Sequence, residues 1–388
     1  MGVRRSTKIR RSTISNDYEV YLQESNYDVG LQDDSSSFLQ VMNGENSTSW
    51  YNAMKEEMES MAKNKVWDLV ELPKKVSIVC CKWVFKTKRD SMGNIERYKV
   101  RLVAKGFTQK EGIDYHETFS PVSKKDSLRV IMAIVAHFDL ELHQMDVKMA
   151  FLNGDLEEEV YMCQPEGFVN NDNNQLVCKL KKSIYGLKQA SRQWYIKFHN
   201  VISSFGFVEN IVDQCIYLKI NGSKYIFLVL YVDDILLASN DMGLLHETKM
   251  FLTQNFEMKD MGEASYVIGI EIHRDRTRKV LGLSQKAYIE KVLERFGMKH
   301  CSSIAAPIVK GEKFSLDQCP KNELERKEMD SIPYASLVRS LMYNQVCTRP
   351  DIAFIVGMLG RYQSNPRKDQ WKAAKRVLRY LQGTKDYR

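Results

Sequence analysis

The chain has 388 residues, 44% of them hydrophobic and 10% aromatic, with a formal charge of +8. That length holds two or three domains' worth of core, and that composition excludes a disordered chain. No apolar run reaches the ~18 residues that span a bilayer, which excludes a membrane-spanning helix, and no membrane partner is expected. The charge is clustered: Arg4, Arg5, Lys8, Arg10 and Arg11 give residues 1–11 a net +5, residues 82–110 carry +7 and residues 367–388 carry +6. Separate positive clusters suggest a polyanionic partner, although a solvated basic face is the commoner explanation of any one of them. The eight cysteines (Cys80, Cys81, Cys163, Cys178, Cys215, Cys301, Cys319 and Cys347) show no CxxC spacing and form no zinc pattern with the seven histidines. Scattered in this way, without a secretory signal, they read as reduced thiols of an intracellular protein. The start MGVRRS formally fits a myristoylation pattern, but its basic, Ser-rich setting fits a tail at least as well. Cytoplasm and nucleus both stay open, because a basic start serves equally as a nuclear signal or as a nucleic-acid arm.

In chain order, residues 1–47 are basic and then rich in Ser, Asn and Asp without a period, and read as a disordered tail or linker. Helical spacing starts near Thr48 or Ser49, with Trp50, Met54, Met58 and Met61 on one face. Trp67 to Leu72 reads as a strand. Cys81 to Arg89 alternates, setting Lys82, Lys86 and Lys88 against Trp83 and Phe85. After a turn around Met92-Gly93-Asn94, the returning strand sets Arg97, Lys99, Arg101 and Lys105 against Tyr98, Val100, Leu102 and Ala104. Edge protection by lysine would look similar, but so many cations with so few acids suit a phosphate-facing surface. Ser123 to His137 has helical spacing, and a strand over His143 to Val147 contains Asp146. An Asn-rich loop covers 170–175, and a helix is expected over Leu187 to Phe205.

Tyr225 to Ser239, YIFLVLYVDDILLAS, is an apolar run broken once, by Asp233 and Asp234. It reads as two buried strands. The bland reading of the acid pair is a hairpin turn pointing into water; if buried, the pair needs a cation to meet it. A helix over Met242 to Phe256 and a strand over Ser265 to His273 follow. The order from Asp146 onward reads as a split β-α-β layout with helices on one face of an antiparallel sheet, in which neighbouring strands bring Asp146 beside Asp233. Ser284 to Phe296 reads as a helix closed by Gly297, residues 298–333 as a charged connector, and the remainder as three helical stretches ending in Trp371 to Leu381.

Carboxylates on different strands can hold two Mg²⁺ ions, which prefer oxygen ligands, keep waters and bridge carboxylates to phosphates. Paired metals stabilise the attacking and leaving oxygens of an in-line displacement at phosphorus, while a cationic hairpin neutralises the triphosphate. That constellation describes nucleotidyl transfer, although spacing alone does not establish it.

From Trp50 onward the chain resembles the reverse transcriptase region of plant-like, copia-type LTR retrotransposon Pol polyproteins. The resemblance rests on WVFKTK (83–88), RYKVRLVAKGFTQKEGIDYHETFSPV (97–122), QMDVKMAFLNGDLEEEVYMCQPEGF (144–168), KLKKSIYGLKQASRQWY (179–195), YVDDILL (231–237), MGEASYVIGIEI (261–272) and CTRPDI (347–352). It implies an α+β right-hand fold: a tail over 1–47, fingers with the basic hairpin over 48–142, a palm with the catalytic acids over 143–275, and a thumb-like helical part over 276–388. It implies an RNA-directed DNA polymerase that uses two Mg²⁺ ions, with Mn²⁺ as a substitute, and takes an RNA template, a DNA or RNA primer and dNTPs. Asp146, Asp233 and Asp234 resemble the metal-binding catalytic acids, with Asp233 expected to touch both ions. Arg101 is similar to the arginine that grips the triphosphate, and Lys86 or Lys88 to its lysine partner. Phe151 stands where such polymerases place an aromatic gate against the ribose 2′-hydroxyl; a core phenylalanine is the alternative. Gln189 resembles a nucleotide- and template-contacting glutamine, and Val267, Ile268, Gly269 and Ile270 resemble the primer grip.

The family usually has a small Gly where Arg339 stands and an Ala near Asn344, so crowding or an unpaired buried group is expected there. The chain stops at LRYLQGTKDYR, where the family continues into RNase H, and no protease, integrase or nucleocapsid segment precedes the match. RNase H activity is therefore not expected, and the sequence reads as a polyprotein fragment of an excised or degraded element. Two readings compete with the polymerase: a catalytically inactive remnant that holds nucleic acid by charge, and an unstable product with uncovered apolar surface.

Overall fold

The computed structural model describes residues 37–387 apart from 75, 90–93, 170–175, 310, 312–313, 316–318 and 321. The expected turn at Met92-Gly93, the Asn-rich loop and most of the expected tail lie outside the described residues. The first elements are helices α1 (Phe38–Met42) and α2 (Ser47–Lys63) and strands β1 (Trp67–Glu71), β2 (Ile78–Val79), β3 (Cys81–Arg89) and β4 (Ile95–Ala104). Then come α3 (Lys125–Phe138), β5 (Glu141–Val147), β6 (Asp155–Met162), β7 (Leu176–Lys182), α4 (Ala190–Ser204), β8 (Val208–Glu209), β9 (Ile216–Asn221), β10 (Lys224–Tyr231), β11 (Asp234–Ser239) and α5 (Met242–Asn255). The last are β12 (Met258–Glu263), β13 (Tyr266–Val267), β14 (Ile270–Asp275), β15 (Val280–Ser284), α6 (Lys286–Arg295), α7 (Glu323–Asp330), α8 (Tyr334–Cys347), α9 (Ala353–Gly360) and α10 (Lys368–Gly383).

Three departures from the expected elements have local causes. Helix α1 lies in the supposed tail because Ser37 and Gln40 close a capping box, each side chain bonding the other's backbone N–H. The expected strand Ser265 to His273 is instead the β13–β14 hairpin, whose two-residue turn, Ile268-Gly269, has φ of 49° and 68°. A turn left-handed at both positions suits Gly; the β-branched Ile268 hides it from a sequence reader. The expected connector over 298–333 also contains α7, capped by Asn322.

The chain divides into two compact units, one from Ser35–Ser120 and Phe151–Lys197, the other from Pro121–Ala150 and Phe198–Arg388. This division crosses the expected boundaries, because β6 and β7 leave the palm segment and join β1 and β2 in a four-stranded sheet, order β1-β7-β6-β2. In that first unit β3 and β4 form a separate two-stranded ribbon. Its apolar face packs on α2: Trp50 meets the rings of Phe85 (5.4 Å) and Tyr98 (4.6 Å), and a buried Glu57 carboxylate accepts the Leu102 N–H.

The second unit is built on a six-stranded antiparallel sheet, order β12-β5-β11-β10-β9-β8. The strands β10 and β11 read as apolar runs because both faces are covered. On one face Tyr217, Leu228, Leu237 and His143 stand in cross-strand register; Phe198 of α4 packs on Tyr217 (6.0 Å) and Lys249 of α5 reaches His143 (2.8 Å). On the other, Leu142, Val229, Leu236 and Ala238 form one core with Leu128, Ile131, Met132 and Val135 of α3 and with Val267, Ile268 and Ile270. Helices therefore cover both faces, correcting the expected single helical layer, since the stripe of α3 had no visible partner in the sequence. Among the described residues no helix is long and apolar enough to cross a membrane.

A second core joins α6, α8, α9 and α10. Arg339 lies exposed on α8 and crowds no helix pair, so that half of the expected disturbance is corrected. Asn344 is wholly buried, and neither of its amide atoms has a partner among the described residues.

Candidate active site

Strands β10 and β11 join through a two-residue turn, Val232-Asp233, with Tyr231 paired to Asp234 across it. Val232 has φ of 59°, a conformation that costs a β-branched residue on the order of 1–3 kcal/mol. It is imposed by the strands on either side, each held by a full ladder to a further strand. The bland reading of this acid pair, a turn with both carboxylates in water, holds for neither residue: Asp233 is half-buried and Asp234 is 4% exposed.

Strand β11 also pairs with β5, and that register puts Asp234 directly opposite Asp146. Residues opposite each other in an antiparallel ladder share a face. The backbone binds Asp233 into the same corner, its carbonyl accepting the Val147 N–H at 2.8 Å. Gln144, two residues before Asp146 on the same face of β5, donates from Nε2 to Asp234 at 3.0 Å. Burial pushes the Asp234 carboxyl up to about 6; the Gln144 hydrogen bond opposes the rise, the Asp146 charge adds to it, and Lys125 opposes it.

Lys125 is the cation that a buried acid needs. It sits at the first position of α3 with Nζ 3.8 Å from the centroid of the Tyr231 ring. Burial pushes its ammonium down to about 8, against the charges of Cys347 and Asp234. That Nζ is buried with no hydrogen-bond partner among the described residues. Lys125, Asp234, Tyr231, Leu236, Val267 and Ile268 line a cavity of about 10 Å³, room for roughly one water. The sequence reading missed Lys125, and one signal could have found it: the residue continues the apolar stripe of α3 three positions before Leu128.

The donor set suits a hard divalent ion, since it consists of carboxylate oxygens, those of Asp234 buried. Among the described residues no three acidic, histidine or cysteine side chains converge as a ready-made metal group. The three-carboxylate cluster expected from Asp146, Asp233 and Asp234 is thus an opposed pair, Asp146 and Asp234, with Asp233 one residue away in the turn. Two carboxylates still fit Mg²⁺, which is commonly held by one or two of them plus waters and substrate phosphates.

The residues expected to bind nucleotide lie in the first unit. In the β3–β4 ribbon Lys86 stands opposite Lys99, Lys88 opposite Arg97 and Val84 opposite Arg101, so one face carries like charges in register. Such pairs oppose folding. The guanidinium of Arg101 lies 5.2 Å from the centroid of the Tyr185 ring, and Phe151 also meets that ring, 5.0 Å away and edge-on. The Tyr185 carbonyl accepts the Ala104 N–H at 2.7 Å. Such closeness requires glycine at Gly186, where φ is 89° and an added Cβ would stand 2.1 Å from the Ala104 carbonyl oxygen. Phe151, read from sequence as a gate or a core residue, is 4% exposed.

Gln189 is wholly buried and tied up. Its Nε2 donates to the Asp114 carbonyl (3.0 Å), and its Oε1 accepts from Gln109, whose own Oε1 accepts the Lys188 N–H (2.9 Å). In this structure the amide, expected to contact nucleotide and template, fastens the 106–116 loop. Val267, Ile268 and Ile270, expected in a primer grip, are buried, Val267 and Ile268 beside Asp234 and Lys125, and the Ile268 carbonyl accepts the Tyr343 hydroxyl.

Residues 64–310 match the family described as "Reverse transcriptase (RNA-dependent DNA polymerase)". That is more than half of the chain, and the chain belongs to this family. Within it, the chain is similar to the Pol polyproteins of plant copia-type retrotransposons. It is 49% identical to "Retrovirus-related Pol polyprotein from transposon TNT 1-94" of Nicotiana tabacum over 90% of this chain and 26% of that protein. It is 41% identical to "Retrovirus-related Pol polyprotein from transposon RE1" of Arabidopsis thaliana over 87% of this chain and 22% of that protein. The chain thus spans about a quarter of the length of these relatives. Among solved structures, telomerase from Candida albicans aligns over 84% of this chain and 59% of that chain, at 10% identity and a TM-score of 0.32, too distant to carry an argument.

Proposed function

We propose that this chain is an RNA-directed DNA polymerase domain that adds dNTPs to a primer on an RNA template. The observation that carries the reading is the register that faces Asp146 with Asp234 across β5 and β11. Asp146 and Asp234 would hold the divalent ions, with Asp233 completing the set from the turn. When bound, Mg²⁺ supplies charge to stabilise the attacking and leaving oxygens of an in-line displacement at phosphorus. Gln144 orients the Asp234 carboxylate, and Lys125 offsets its charge in a site where water is scarce. Arg101, backed by Tyr185, with Lys86 and Lys88 on the same ribbon face, would take the triphosphate. Val267 to Ile270 would then support the primer from behind the acids rather than grip it directly.

Primer extension with the purified chain tests this. Mg²⁺-dependent dNTP incorporation on a primed RNA is expected, lowered by roughly a thousandfold in Asp233→Asn, the equivalent of several kcal/mol of lost charge stabilisation. No extension above that variant with either Mg²⁺ or Mn²⁺ contradicts the proposal. Salt-sensitive nucleic-acid binding without extension would leave a non-catalytic remnant.

A further inference from the structure

Four of the eight cysteines, scattered in sequence, gather in the first unit around the short parallel pairing of β2 with β6. Its register is Ile78 with Tyr161 and Val79 with Met162. The Cys163 N–H then donates to the Val79 carbonyl at 3.1 Å, so the next residues on each strand, Cys80 and Cys163, are neighbours. Their sulfurs are 3.7 Å apart. Adjacent strands run roughly 4.8 Å apart, inside the Cα range that a disulfide spans. Cys80 is exposed and Cys163 half-buried, whereas Cys178 lies buried in β7. Cys81 points its thiol at the Cys163 carbonyl rather than at a sulfur. Among the described residues no metal-holding group includes these thiols, which sets a zinc site aside.

We propose that Cys80 and Cys163 are a redox pair that closes to an intramolecular disulfide when the protein meets a peroxide. The exposed Cys80 sulfur attacks the peroxide, an S–O bond forms as the O–O bond breaks, and water leaves, giving a sulfenic acid. The Cys163 sulfur then attacks the Cys80 sulfur, the S–S bond forms, the S–O bond breaks, and a second water carries away the hydroxyl and the thiol proton. Two thiols have been oxidised and one peroxide reduced. Burial pushes the thiols of Cys81 and Cys178 up to about 12 and raises that of Cys163 as well, so the exposed Cys80 is the sulfur that meets the peroxide first. The bond would fasten the base of the cationic ribbon. Cys80 leads directly into β3, and its carbonyl already accepts the Lys105 N–H at 2.7 Å, just past the end of β4. The inference does not depend on polymerase activity.

The test treats the full chain with hydrogen peroxide, blocks the remaining thiols and maps peptides without reductant. A peptide pair joining Cys80 to Cys163 is expected, cleaved by dithiothreitol, with the unfolding midpoint shifted upward in the oxidised protein. Cys163→Ser should lose the link and the shift, and Cys81→Ser should keep both. A bond to Cys81 or Cys178, a bond between chains, or sulfinic and sulfonic acids at Cys80 with no link would overturn the proposal. If Cys163→Ser does not fold, the map of the unaltered protein still decides it.

Discussion

The acid corner of the second unit and the cationic ribbon of the first both concentrate charge, but they carry it in opposite ways. The ribbon displays it on one face of two strands, where Lys86 faces Lys99 and Lys88 faces Arg97. The corner buries it, with Asp234 at 4% exposure, Gln144 bonded to it and Lys125 nearby as an imperfectly solvated counter-charge. Screening by solvent keeps the first arrangement inexpensive. Desolvation makes the second costly, and that cost is measurable as a pH-dependent stability.

The largest effect should come from Asp234. Its folded-state value of about 6 lies above the ordinary 3.8, so the native protein holds a proton that the unfolded chain gives up between these values. Stability therefore falls as pH rises from about 4 to about 6. In metal-free buffer at pH 7, Asp234→Asn should gain about 3 kcal/mol, and the gain should vanish near pH 3.5. Denaturant melts at both values check this; an equal gain at both would mean that packing, not ionisation, is responsible.

Lys125 sharpens the comparison with the opposite sign. Its folded-state value of about 8 lies below the ordinary 10.5, so the native state is penalised while the ammonium is charged and recovers as pH rises between the two. Lys125→Met should add roughly 1–2 kcal/mol at pH 7, the desolvation cost less the cation–π contact with Tyr231. No gain at pH 7, or a gain that persists at pH 11, would show that the corner does not strain its cation. The smallest effect belongs to the ribbon. Lys99→Glu replaces a repulsive cross-strand pair by an attractive one and should stabilise by about 0.2–1 kcal/mol. Triphosphate binding should weaken in the same variant. Loss of stability would mean that the lysine stems hold the ribbon together.

These regions also differed in how far the sequence revealed them. The ribbon was readable because period-two alternation is local: Trp83 and Phe85 segregate from Lys82, Lys86 and Lys88 within one strand. The acids were readable as motifs, and β5 and β11 as strands, but the opposition of Asp146 to Asp234 rather than to Asp233 depends on register, which a turn at Val232 sets against its own propensity. Helix α3 as the second cover of the sheet required tertiary contacts that no spacing encodes, whereas Lys125 was signalled only by its place on the apolar stripe of that helix. Gln189 carries motif-like surroundings yet is buried, in the loop that Gly186 lets approach β4, and Phe151 is buried against the Tyr185 ring. The Cys80–Cys163 neighbourhood was hidden for the same reason: β2 is two residues long and pairs with a strand far along the chain.

Titration of the chain with Mn²⁺, following the free ion by electron paramagnetic resonance, tests most directly whether the facing carboxylates hold a divalent ion. At pH 7.5 the unaltered protein should bind, Asp146→Asn should bind on the order of tenfold or more weakly, and binding should fade as pH drops below about 6, where Asp234 takes up its proton. Equal affinity in the protein and in Asp146→Asn would contradict the account.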